Sequence, residues 1–276
     1  LPWSNGAIES YLIGTFPSLN IDIENFISIK NHLLSFGKDR LEQSGNKGSR
    51  KKTNNKWFET QDAIGYYQEF AKPKIMYQKF QVRPCFIFDE SGLYCNDSMW
   101  IIPTESKALL AILNSKMGWW LISKYCTQIQ NGYQLIWKYF GQIPIPQMLT
   151  AELEIVADQM LSLNSDLQTK RQRFLKRLSD NFAVATNKGV CPLVITNALA
   201  HFDEMEFAQF LAELKKQKIT LTLKQQDEWE EYFSDYKTEC NSLSAQISVT
   251  DKEIDSMVYA LYGLTEEEIE IAENNK

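Results

Sequence analysis

The chain has few residue types able to make or break bonds. Only two histidines occur, His32 and His201, and neither has a second His, Cys or carboxylate at the spacing of a metal site such as HExxH. Five cysteines (Cys85, Cys95, Cys126, Cys191 and Cys240) form an odd, scattered set without a CxxC pair. That argues against a disulfide framework or a zinc site and for a reducing, cytoplasmic compartment. GxSxG, GxxxxGK(S/T) and GxGxxG are all absent, so a nucleophile elbow, a P-loop and a dinucleotide turn have no anchor. Glu228, Glu230 and Glu231 read as one solvated helical surface, not an acid–base pair. Catalysis by this chain alone is not expected, nor is a metal or cofactor of its own.

Cations give a stronger signal. From Lys38 to Lys56, seven Lys and Arg face two carboxylates, a net of +5, with Ser, Gly and Asn between them and Trp57 adjoining. Lys47, Arg50, Lys51, Lys52 and Lys56 are the candidates for phosphate contact, which supplies affinity and salt dependence without sequence information. A merely solubilising loop explains the run equally well. Lys79, Gln81 and Arg83 form a second polar-basic group, and Asn131, Gln134 and Lys138 a third. Arg, Gln and Asn can each make paired hydrogen bonds to base edges in the major groove.

The elements that must position these groups divide at about residue 150. Residues 1–20 read as an entry loop or edge strand, Ile21–Leu41 as a helix and Gln43–Lys56 as a solvent loop. Asp62–Phe70 suggests a short helix. Lys74–Phe80, Pro84–Asp89 and Met99–Pro103 are short aromatic and β-branched runs with strand grammar, and Asn131–Trp137 adds a turn and strand. Lys107–Tyr125 reads as one buried helix. After Gln142–Pro146, long helices are expected over Ala151–Leu178, Ala198–Lys218 and Lys224–Ile247, with a break at Asn181–Pro192 and a strand or linker at Ile219–Leu223. Thr250–Glu253 reads as a capping box opening a new helix that stops at Gly263, and Thr265–Glu268 caps a last acidic one. The expected fold class is α+β: a small mixed sheet with packed helices over 1–150, then a largely helical spacer or support region over 151–276.

Composition sharpens the division. The 276 residues are 44% hydrophobic with a net charge of −6, but residues 1–150 carry sixteen Lys and Arg against twelve Asp and Glu, a net of +4. The remainder carries thirteen against twenty-three, a net of −10, so only the first part suits a polyanion. No apolar run approaches the roughly 20 residues of a membrane span. The start at Leu1-Pro2 without a methionine suggests a piece of a longer protein.

Several phrases together are familiar. Trp57-Phe58-Glu59, Phe70–Tyr77 (FAKPKIMY), Phe86–Asp89 with Ser91–Tyr94, Leu110–Lys116 (LAILNSK) and Ile143–Pro146 (IPIP) resemble the TaqI-like specificity domain, over about Asn25 to Pro146. That domain is the C-terminal target recognition domain of Type IIG restriction–modification enzymes and related adenine methyltransferases. The tail from Gln226 to Leu264 also resembles the end of such enzymes; the 180–223 insertion is unassigned. The resemblance implies a non-catalytic module that reads double-stranded DNA in the major groove. In the parent chain, upstream methyltransferase and nuclease domains would be covalently linked, with S-adenosylmethionine and Mg2+ as their cofactors. The alternatives are a protein-interaction or scaffold module of a modification or defence system and a single-stranded nucleic-acid binder.

Overall fold

The computed structural model describes residues 11–186 and 189–274. After two 3-10 turns come α1 (Ile27–Leu34) and α2 (Lys38–Leu41). The one helix expected over 21–41 is thus broken. Gly37, at φ 90°, turns the chain between α1 and α2, and α1 buries none of its residues, so no core holds the longer helix together. The helix expected at 62–70 is a 3-10 turn over Tyr67–Ala71.

The strands β1 (Lys74–Gln78), β2 (Phe80–Gln81), β3 (Phe86–Asp89) and β4 (Met99–Pro103) follow. Next come α3 (Lys107–Asn114), α4 (Lys116–Tyr125), β5 (Thr127–Ile129), β6 (Gly132–Gln134) and α5 (Trp137–Phe140). They build two antiparallel sheets, β3–β1–β4 and β2–β6–β5. In the first, the cross-strand rows Ile75–Phe88–Ile102 and Tyr77–Phe86–Trp100 face α3 and α4. The expected buried helix over 107–125 is two helices. Ser115 ends α3, and its hydroxyl accepts from Gly118 N at 3.0 Å to cap α4. A Cβ on Gly118 would lie 2.0 Å from the Ile112 carbonyl oxygen, so only glycine admits this tight turn.

The familiar phrases turn out to be structural. Lys74 and Asp89 stand opposite each other in register, both fully buried and ion-paired. The Lys74 ammonium also donates to Phe70 O at 2.6 Å, while the Asp89 carboxylate accepts from the Ser91 amide and hydroxyl and from Leu93 N. Burial alone would raise the Asp89 pKa; these donors outweigh it and hold the carboxyl below its ordinary range. Asn114 locks the edge strand β3, accepting from Phe86 N and donating to Phe86 O.

Beyond Thr150, which caps it, α6 (Ala151–Asn181) leads to the hairpin β7 (Ala183–Thr186) and β8 (Gly189–Pro192). The helix expected over 198–218 is interrupted: α7 (Asn197–Ala200), a 3-10 turn at Phe202–Glu204, then α8 (Phe207–Lys216). Ile219–Leu221 is linker, and Thr222 with Gln225 forms the capping box of α9 (Leu223–Tyr262). At 40 residues α9 runs straight through Thr250–Glu253, where a new helix was expected. Thr250 is buried on its inner face instead, and Ile247, Ile254 and Val258 continue the apolar stripe across the position. Gly263, at φ 66°, ends α9, and Thr265 with Glu268 caps α10 (Glu266–Glu273), both as expected.

Two hydrophobic cores result. The first continues past residue 150, joining the sheet and α3–α4 to Leu153, Val156 and Met160 of α6 and to Ile254, Val258 and Tyr259 of α9. The second lies further along the α6–α9 pair, around Phe174, which stacks on Phe202 at 3.7 Å, with Phe210 and Phe233. Arg171 forks onto the buried Asp203 there, at 2.9 and 2.6 Å. Polar clasps tie the long helices to the lobe. Glu154 of α6 accepts from Ser106 Oγ and Lys107 N at the start of α3. Asp255 of α9 accepts from Lys116 N at the start of α4, Lys116 Nζ reaches Glu273, and Tyr262 donates to Pro144 O.

Candidate nucleic-acid interface

The basic loop is built, not slack. Gly45 and Gly48 take left-handed φ values of 77° and 89°, Ser49 N donates to Asn46 O, and Gly45 N donates to Arg50 O. Lys47 stands in the exposed turn at the tip, with Lys51 and Lys52 exposed beside it. Lys56 is exposed too, 3.7 Å from Glu59 and over the Phe58 ring. Arg50 differs from its neighbours. Its guanidinium donates to three backbone carbonyls, Leu41 O, Trp57 O and Glu59 O, and so closes the base of the loop. The expectation of a free phosphate contact at Arg50 is therefore replaced by a staple.

The second and third groups, far apart in sequence, meet through β2–β6 pairing. Phe80, Gln134 and Thr127 align in one row across the three strands, and Gln81, Tyr133 and Gln128 in the next. Arg83, Asn131 and Lys138 are exposed around this sheet; Lys79 is half-buried, over the Trp100 ring and 3.9 Å from Asp97. Gln81 does not fit the expected role. It is 3% exposed, its carbonyl oxygen accepts from Cys85 N at 2.9 Å, and its amide nitrogen reaches Gln78 O and Cys85 O. That side chain closes the β2–β3 turn and has nothing left for a base.

One groove takes in segments adjoining both the basic loop and this sheet, although no residue of the loop or of the sheet's strands lines it. Its volume is about 920 Å³, with Thr60 and Asp62 on the side of the chain leaving the loop and Lys79 and Trp137 on the sheet side. Tyr66, Tyr94 and Trp137 are exposed along it. Phe86 and Phe88 lie in the core with Trp100 and Trp119 packed against it, whereas Phe80, Tyr125, Trp137 and Tyr139, around the second sheet, are all more than a third exposed. One signal was available to find this surface: no Asp or Glu occurs between Glu105 and Glu152, nor between Lys74 and Asp89. Both carboxylate-free stretches supply the second sheet, so its own strands carry no negative charge, while Asp97 stands 3.9 Å from Lys79 beside it.

Burial pushes the Cys126 and Cys240 thiols up to about 11, which keeps them protonated and unreactive near neutral pH. Among the described residues, no group of three His, Cys, Asp or Glu is placed to hold a metal ion. No helix among them is long and apolar enough to cross a membrane.

No curated protein matches the chain. Two family models do. Residues 147–258 match a domain of unknown function, DUF8810, and so take in α6, the interrupted helical insertion and most of α9. Residues 21–145 match the TaqI-like C-terminal specificity domain. The second match spans the basic loop, both sheets and the Lys74–Asp89 and Asn114 locks, the same phrases on which the resemblance rested. Over residues 21–145 this lobe is similar to the TaqI-like C-terminal specificity domain.

Proposed function

We propose that the chain is the duplex-DNA recognition module of a restriction–modification enzyme of the Type IIG kind, an adenine methyltransferase and endonuclease. The observation that carries this reading is the surface of the second sheet: free of carboxylates along its own segments, edged by Lys79, Arg83 and Lys138, and set within a lobe similar to a specificity domain. Phosphate contacts from the Lys47–Lys56 loop and from these cations would fix the register on the duplex, and neutral side chains of the sheet would read bases in the major groove. Linked upstream domains, with S-adenosylmethionine and Mg2+ as cofactors, would supply the chemistry. The long helices keep the lobe rigid for this task. Glu154 and Asp255 each satisfy amides at the start of a lobe helix, so α3 and α4 cannot tilt independently of α6 and α9.

Selection from a random duplex pool tests the reading with the chain as it stands. Enrichment of one short site is expected, with binding that weakens steeply as salt rises and a preference for duplex over the single strands of the same sequence. Binding without enrichment of any site, or tighter binding to single strands, would overturn it.

A further inference from the structure

On the surface just described, one element is chemically unlike its surroundings. The β5–β6 hairpin, Thr127–Gln134, carries four amide side chains (Gln128, Gln130, Asn131 and Gln134) and no charge. None of these amides has a hydrogen-bond partner among the described residues. Gln81, in the same sheet, shows the contrast: its amide is buried and satisfied internally. The hairpin amides are left open to an outside partner.

The hairpin is also held firmly. Gly132 sits so close to β2 that a Cβ would lie 2.3 Å from the Gln81 carbonyl oxygen, and the Tyr133 ring meets Trp119 edge-on at 5.3 Å. Gln130 and Asn131 form the two-residue connection between the paired Ile129 and Gly132, and Gln130 takes a left-handed φ of 54°. A bulky residue held in that region marks a turn fixed by its surroundings. Lys124 and Lys138 flank the strands in sequence, and both are exposed.

A neutral amide releases no counterion, so it adds nothing to the salt-dependent part of DNA affinity. What it offers is one donor and one acceptor side by side, the pattern that matches N6 and N7 of adenine. A two-stranded ribbon also fits the major groove. We propose that the β5–β6 hairpin is the base-reading element, and that Gln128, Gln130 and Asn131 select adenine·thymine pairs. This rests on the DNA-recognition reading above and names the part of the surface that gives it specificity.

Parallel selections from one random duplex pool, with the wild-type chain and with the triple variant Gln128→Ala/Gln130→Ala/Asn131→Ala, decide it. All three side chains are exposed, and an unchanged circular dichroism spectrum and Tm show that the fold is kept. A second variant, Gln130→Gly, removes one amide while easing the φ of 54°. The wild type should select a site containing A·T positions. The triple variant should lose about tenfold or more of the preference at each contacted A·T position, while its salt slope and its affinity for random duplex stay within about twofold. Gln130→Gly should relax one position only. If the triple variant selects the same site with the same A·T preference, the hairpin is not the reader, although DNA recognition stands. An equal loss of affinity for every duplex, with the A·T preference kept, would reassign it to backbone contact. If the wild type enriches no site, the recognition reading itself falls and takes this one with it.

Discussion

Arg50 and the lysines around it carry the same charge, yet the structure separates their roles, and substitutions should separate them too. Lys47, Lys51, Lys52 and Lys56 are exposed, whereas Arg50 is spent on three backbone carbonyls. Four lysines on four phosphates contribute a slope of about −3.6 to log K against log salt, so raising salt fourfold weakens binding about 150-fold through this loop. The triple variant Lys47→Ala/Lys51→Ala/Lys52→Ala should leave about −0.9 of that slope, a loss of only about 3.5-fold over the same range. Arg50→Lys keeps the charge but cannot fork to three acceptors. It should leave the slope nearly unchanged while costing the loop about 1–3 kcal/mol of local stability. Fluorescence anisotropy of a labelled duplex across a salt series reads the slope, and amide exchange over residues 44–53 reads the loop. The staple assignment is refuted if Arg50→Lys leaves exchange as in the wild type while Arg50→Ala flattens the slope by about one. Unchanged slope in the triple lysine variant would remove the loop from the interface altogether.

Four further outcomes follow from the packing. Either member of the buried Lys74–Asp89 pair should be costly to remove, about 3–5 kcal/mol, and Asp89→Leu should cost more than Lys74→Met in urea unfolding. The reason is that Asp89 keeps the donors of Ser91 and Leu93, whereas Lys74 would keep only Phe70 O; the reverse order would contradict this account. Because Asp89 is held below its ordinary pKa, its contribution to stability is present above about pH 4 and fades as pH falls through the folded value; Asp89→Leu should remove that part of the acid dependence. Gly132→Ala should displace β6 from β2, lowering stability by about 1–3 kcal/mol and blurring site selection together; a Tm equal to wild type would show that the close approach is not needed. Glu154→Ala strands the Lys107 amide and the Ser106 hydroxyl, and should cost about 1–3 kcal/mol with faster exchange at the start of α3 and no change in salt slope.

Local chemistry made much of the molecule readable from its residues. Strands at Lys74–Gln78, Phe86–Asp89 and Met99–Pro103, the stop at Gly263 and the cap at Thr265 all depend on propensity and turn chemistry within a few positions. Helix boundaries fared worse wherever a distant partner decided them. Thr250–Glu253 has the residues of a capping box, yet the apolar stripe shared with α6 carries α9 straight through it. The stripe at Ile21–Leu41 has helical spacing, but α1 within it buries none of its residues and the helix breaks at Gly37.

The candidate site shows the same division. Residue types and charge alone located the basic loop, the two polar-basic groups and the phrases shared with the specificity domain, because these are properties of single residues and short runs. Only the tertiary structure decided that Arg50 and Gln81 turn inward, that Phe80–Gln81 and Gly132–Gln134 pair in one sheet, and that Trp137 and Phe80 face outward. A cation or an amide becomes a contact or a staple according to whether backbone carbonyls or water surround it. Those surroundings come from segments tens of residues away, which no local spacing encodes.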